Sequence, residues 1–125
     1  IKNTNLTANP EIFEKEFGIL QTDEIIITEE RIQHIINHHP KDYPFLHTYG
    51  KCTISDPDFI IKDTHHAGTI FTIKQIENSN INIIIRLVLE TDNPQFKNSI
   101  MTMYRIRNRN LKKLIEKNTL LYKKE

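Results

Sequence analysis

The chain predicts an α+β fold, with N-terminal helices packed on a four-stranded antiparallel sheet and a short C-terminal helix. Two observations carry this. Up to about residue 50, apolar residues recur at helical spacing between proline and glycine stops, whereas from residue 58 the pattern turns to β-branched runs. The runs 68–76 and 80–90 flank Glu77-Asn-Ser-Asn80, a polar turn suited to a hairpin, so strand follows strand with no helix between.

Element by element, residues 1–24 are polar and acidic. Pro10 suits the first turn of a helix over 11–17, Gly18 ends it, and Phe13, Phe17 and Leu20 dock it. Residues 25–27 form an extended lead-in to Thr28-Glu-Glu-Arg-Ile-Gln-His-Ile-Ile-Asn-His-His-Pro40. Here Thr28 is an N-cap, Glu29 and Glu30 sit at the positive end of the helix dipole, and Pro40 stops the helix. At about 100° per residue, Ile32, Ile35, Ile36 and His39 share one side, and Arg31, His34 and His38 another. Pro40, Pro44, Gly50 and Pro57 punctuate a loop-rich passage with a short helix over 43–49. Strands are expected at 58–63, 68–76, 80–90 and 98–106, then a helix over 110–117 and an extended tail at 120–123. There is no internal repeat. The expected organisation is a helical extension over 1–24 and a domain over 25–125, together one compact unit of a size that buries its own core.

Hydrophobic content of 38% and charged content of 26% are ordinary for a globular domain, and no apolar run approaches a membrane span. A single Cys52 allows no internal disulfide, which favours a reducing, cytoplasmic site of action. The start at Ile1, with no signal-peptide pattern, reads as a domain cut from the C-terminal end of a longer protein. Charge is segregated: residues 1–64 hold 6 Lys/Arg against 11 Asp/Glu, and residues 65–125 hold 11 against 5. A basic half favours a polyanion such as RNA, unless folding mixes the charges.

Three imidazoles on one short helix suit proton transfer, because histidine titrates nearest neutrality. The plainer reading is a solvated polar face with one capping histidine. His34 and His38 also stand at the i, i+4 spacing of helix-borne zinc ligands, with His65-His66 as further donors. The glutamate of a metalloprotease motif is missing and no cysteine pair helps, so no metal site or cofactor is assigned. A zinc hydrolase remains an alternative function.

Three segments in order carry a family resemblance. They are the histidine helix just quoted, the strand ending in Ile85-Arg-Leu87, and Lys97-Asn-Ser-Ile-Met-Thr102 followed by Asn110-Leu-Lys-Lys-Leu114 and Leu121-Tyr-Lys-Lys124. Together they resemble the phage and mobile-element branch of the barnase–EndoU–colicin–RelE (BECR) ribonuclease superfamily, over about residues 25–125. The resemblance implies helices before a four-stranded antiparallel sheet, and RNA cleavage in a cleft on that sheet, usually without a metal. It implies a toxin or effector domain of a secreted or phage-borne parent, acting as a monomer on RNA, tRNA among the options. A toxin further implies a cognate immunity protein, acidic where it meets the basic half.

Carried over residue by residue, the family's helix histidine and His-Pro end fall on His34 and His39-Pro40. Lys97, Asn98, Ser99 and Thr102 match its strand motif, and Arg86 matches a basic strand position. His38 stands where the family more often has a basic residue; the pair His65-His66 has no counterpart. Cleavage by 2′-hydroxyl attack needs a base, an acid, and cations or donors for the phosphate oxygens. His34 is the leading proton-transfer group, Arg86 and Lys97 the electrostatic ones, and Ser99 and Thr102 neutral donors. Asn98, His38, Arg105, Arg107 and Arg109 are assigned to substrate binding, the arginines alternating along a strand exit.

Each assignment has a structural alternative. His39 lies on the apolar side of its helix and suits a buried hydrogen-bonded role, Arg86 suits an ion pair, and the arginines suit a solvated edge that deters aggregation. On a regular strand Ser99 and Thr102 face opposite sides, so a shared cleft requires a bulge or a strand start between them. Tyr43, Phe45, Tyr49 and Tyr104 are available for stacking bases, most of them suiting the core equally. A non-catalytic module that binds RNA or protein on the same fold is the third reading.

Overall fold

The computed structural model describes residues 4–5, 11–89, 91–93 and 95–125. Among them, the chain runs β1 (Thr4–Asn5), α1 (Glu11–Phe17), β2 (Glu24–Ile26), α2 (Glu29–His38), α3 (Tyr43–Ser55), β3 (Phe59–Lys62), β4 (Thr69–Ile76), β5 (Ser79–Arg86), β6 (Asn98–Ile106), α4 (Asn108–Lys117) and β7 (Thr119–Lys123). Pro10 as helix opener and Glu90 as strand end lie outside the described residues.

The four expected strands are β3 to β6, an antiparallel meander joined edge to edge. The sheet is larger than expected, however: seven strands in the order β1-β2-β6-β5-β4-β3-β7. The tail over 119–123 pairs antiparallel with β3, and the lead-in to α2 pairs parallel with β6 through Ile25↔Asn98 and Ile26↔Ser99. Both additions satisfy edge backbone groups that a four-stranded sheet would leave open.

Strand alternation sends successive side chains to two layers. Ile81, Ile83 and Ile85 of β5, Ile70 of β4, and Ile100 and Met103 of β6 join Phe13, Ile35, Leu46 and Ile54 from α1, α2 and α3. On the other face Phe71 and Ile73, with Ile84 and Ile106, meet Leu111 and Leu114 of α4. Helices thus cover both faces. Phe13 of α1 is 1% exposed, inside the core it shares with the later elements.

Local signals set α2 as expected. The Thr28 hydroxyl accepts from Arg31 N at 3.2 Å, and His39 N donates to Ile35 O before Pro40. The hairpin turn is tighter than Glu77–Asn80: Ile76 pairs with Ser79, leaving Glu77 and Asn78 as the loop, with Glu77 at φ 49°. α3 is longer than the expected 43–49 helix. Gly50 and the β-branched Thr53 and Ile54 depress helix propensity, but Gly50, Thr53 and Ile54 are buried, and tertiary packing outweighs the local cost.

Candidate active site

The β6 strand organises the site. Its register against β5 runs Ile84↔Thr102 and then Ile85↔Ile100, so Met101 is an extra, bulged residue. The bulge returns both Ile100 and Met103 to the helix-covered core, and it therefore places Ser99 and Thr102 together on the opposite face. Cross-strand neighbours on that face are Arg86 beside Ser99, Asn82 beside Tyr104, and Asn80 beside Ile106. The Thr102 hydroxyl is buried with no partner among the described residues, as are both polar atoms of the Asn82 amide and Oδ1 of Asn80. Asn80 Nδ2 donates to Ile106 O at 3.1 Å and to Asn108 Oδ1 at 2.9 Å. Buried polar groups left unpaired in a folded domain are uncommon and mark a place of interest. Sequence reasoning missed Asn80 and Asn82; the signal was the alternation Asn80-Ile-Asn-Ile, polar residues on a strand with no solvated face.

Helix α2 packs along β6 beyond its short pairing with β2 at Asn98 and Ser99. At its start, Arg31 Nη1 donates to Met101 O at 3.4 Å while Nη2 pairs with Glu30 at 2.9 Å. At its end, the His39 ring stacks on Tyr104 with centroids 5.2 Å apart. Between them, His34 and His38 stack at 4.3 Å. His38 Nδ1 donates to the His34 carbonyl at 2.9 Å, which leaves His38 Nε2 free. Partial burial, then the positive fields of His38, Arg31 and His39, hold the His34 imidazole below its ordinary value, with Glu30 opposing. A depressed imidazole is neutral near pH 7 and ready to accept a proton. Burial pushes the Tyr104 phenol up, and the neighbouring Asn82 amide offsets this in part without reaching hydrogen-bond geometry.

Arg86, Lys97 and Ser99 line one cleft of about 450 Å³, with Ile26, Asp92, Phe96 and Met101. Both cations have carboxylate neighbours, Arg86 with Asp92 at 3.5 Å and Lys97 with Glu24 at 2.7 Å. The Arg86 guanidinium also donates to Leu87 O and lies against Gly68, where any Cβ would run into Nη1. Gly68, at φ 75°, is favoured by its backbone, and a side chain there would also have to displace the Arg86 guanidinium. The Ser99 hydroxyl donates to Lys97 O at 3.1 Å.

Four residues assigned to substrate binding, Asn98, Arg105, Arg107 and Arg109, do not line this cleft. Asn98 is fully buried: Oδ1 accepts from Val88 N and Nδ2 donates to Thr22 O, each at 2.8 Å, so its amide clips the start of β6 to two loops. Arg105 faces α3, where Nε donates to Asp42 at 2.6 Å and the guanidinium covers the Phe45 ring at 4.2 Å. Arg109 does not continue a strand row with Arg107, because Arg107 caps α4 and Arg109 lies in its first turn; both are exposed. In the β3–β4 loop, Asp63 accepts from His65 N and from His66 Nδ1. Among the described residues, no three His, Cys, Asp or Glu side chains gather as a metal ligand set, so the zinc alternative finds no ligand geometry there. No helix among them is long and apolar enough to cross a membrane.

A sheet carrying two hydroxyls and two cations, with a histidine helix packed along β6, defines a candidate phosphoryl-transfer site of the small α+β nuclease class. Residues 7–113 match the family model described as phage-Barnase-EndoU-ColicinE5/D-RelE like nuclease3, and the chain belongs to that nuclease family. The match crosses residue 24, taking in α1 and β2 with the rest. No curated protein and no solved structure matches the chain.

Proposed function

We propose that the chain is a metal-independent endoribonuclease that cleaves RNA by attack of a 2′-hydroxyl on the adjacent phosphorus. The observation that carries this reading is the β6 bulge, which aligns Ser99 and Thr102 on one face next to Arg86, on the strand that α2 packs along. In this mechanism neutral His34 takes the 2′-hydroxyl proton. Arg86 and Lys97 exchange their carboxylate partners for phosphate oxygens and stabilise the charge that builds on them. Ser99, on the cleft wall, orients the phosphate for in-line attack, and Thr102, its hydroxyl buried on the same face, supports that arrangement. His38, in its imidazolium form with Nδ1–H on the His34 carbonyl, gives its Nε2 proton to the leaving 5′-oxygen, and His39 holds the end of α2 on Tyr104.

The family supports a nuclease in general; the choice of RNA rests on the histidine pair and on the basic second half of the chain. We extend the reading to a toxin or effector domain of a secreted or phage-borne parent. It acts as a monomer on cytoplasmic RNA, tRNA included, and is neutralised by an acidic immunity protein. The test is RNA degradation by wild type and His34→Ala in the presence of chelator. Activity should survive chelation and fall at least about tenfold in the variant, as loss of a general base implies. Equal rates in the two proteins would remove His34 from the mechanism, and loss of wild-type activity with chelator would remove the metal-independent step. Sequencing RNA ends after brief expression in cells separates tRNA cleavage from general degradation.

A further inference from the structure

We infer that the cleft beside Arg86 is a nucleobase subsite in which Phe96 is the stacking wall; the inference rests on the nuclease reading above and adds a recognition element to it. Phe96 is 60% exposed, and Met101 is 37% exposed because the bulge turns it out of the β6 ladder. Both line the cleft of about 450 Å³ that also holds Arg86, Lys97 and Ser99, with Ile26 on its wall. That volume falls within the range that accepts a small organic ligand. An aromatic ring held open to water next to an apolar thioether, on a rim of phosphate-binding groups, matches a base attached to a sugar-phosphate.

Charge decides between a base-binding cleft and a mere anion trap. Asp92 stands beside Arg86 and Glu24 beside Lys97, so the cleft is close to neutral when empty. Bulk attraction for a polyanion is therefore weak at this place, and retention of a strand depends on the apolar ring and thioether. The two ion pairs are half-exposed and cost little to exchange for a phosphate. Because Ser99 and Arg86 are cross-strand neighbours, the base that stacks on Phe96 is the one flanking the phosphate they hold. Stacking on an aromatic face tolerates every base, so the subsite adds affinity and register more than sequence choice.

The chain contains no tryptophan, so Phe96→Trp places a single reporter in the cleft. The probe is a short, fully 2′-O-methylated oligoribonucleotide, which has no attacking hydroxyl; its abasic counterpart is the control. Saturable quenching by the first, and binding at least about fivefold weaker by the second, are expected. In cleavage assays Phe96→Ala should raise KM roughly 5- to 150-fold, the effect of losing one base stack, with kcat little changed. Phe96→Trp should keep the wild-type KM, and Phe96→Leu, apolar but without a ring face, should not. Equal quenching by base-bearing and abasic probes, or a Phe96→Leu enzyme with wild-type KM, overturns the inference. So does concentration-dependent dimerisation abolished by Phe96→Ala, which would assign the patch to a second copy of the chain. Should wild type cleave no RNA, the nuclease reading fails, while the quenching experiment still decides the subsite.

Discussion

Replacing Asn98 with alanine separates a structural clip from a substrate contact. Asn98 is 0% exposed and its amide joins three segments: the start of β6, the Val88 backbone after β5, and the Thr22 carbonyl before β2. In Asn98→Ala the Val88 N–H stays buried, at 4% residue exposure, with no acceptor, which costs about 1–3 kcal/mol. The Thr22 carbonyl is only partly buried and water can reach it, so its lost bond adds roughly 0.5–1.5 kcal/mol. The expected loss is about 2–4 kcal/mol, a large fraction of the stability of a domain this size. For a chain of this length that corresponds to a fall in Tm on the order of 6–20 °C. Denaturant unfolding should show a lower midpoint at an unchanged m-value, because the fold buries the same surface. Asn98→Asp keeps the acceptor, loses the donor, and sets a carboxylate against the Thr22 carbonyl, so it should destabilise at least as much. If Asn98→Ala unfolds within about 0.5 kcal/mol of wild type and instead raises KM, the clip is not structural, and Asn98 returns to the substrate.

Thr102→Val removes a buried hydroxyl that has no partner among the described residues. Stability should hold or rise by up to about 1 kcal/mol while RNA cleavage falls at least about tenfold, and a variant that is both destabilised and active would refute the assignment. For His34, the sign follows from the base role, which needs the neutral imidazole. Activity falls as pH drops through a pKa below the ordinary histidine value of about 6.5. Arg31→Gln removes a field that lowers His34 and Glu30→Gln one that raises it, so the acid limb and the His34 NMR titration should move up in the first and down in the second. Shifts in the opposite sense would exclude His34 as the base. Arg105→Leu loses the Asp42 bond and the Phe45 face and should cost about 1–2 kcal/mol in thermal unfolding with RNA affinity unchanged. Lower affinity at full stability would restore Arg105 to the RNA surface.

The sequence by itself determined the elements whose causes are local. Thr28, Glu29 and Glu30 at one end and Pro40 at the other bound α2 wherever it packs, and the alternation through Ile81, Ile83 and Ile85 states a strand with one apolar side. A polar pair between two such runs is enough for a hairpin. The family was legible too, because its motifs are short segments with fixed residue types.

Tertiary structure decided what depends on partners distant along the chain. α3 extends past Gly50 because the core receives Thr53 and Ile54, and β2 and β7 are strands only because β6 and β3 offer them open edges. The Met101 bulge cannot be read from Ser-Ile-Met-Thr, since its signature is a register between two strands and not a residue type. The same is true of side-chain direction. Asn98 and Arg105 carry the chemistry of substrate binding, yet a half-turn of strand geometry aims one at two backbone groups and the other at Asp42. Phe96 carries the chemistry of a core residue and stands open beside Arg86, Lys97 and Ser99. Local preference is encoded residue by residue, whereas the face each residue presents is set by the packing of the whole sheet.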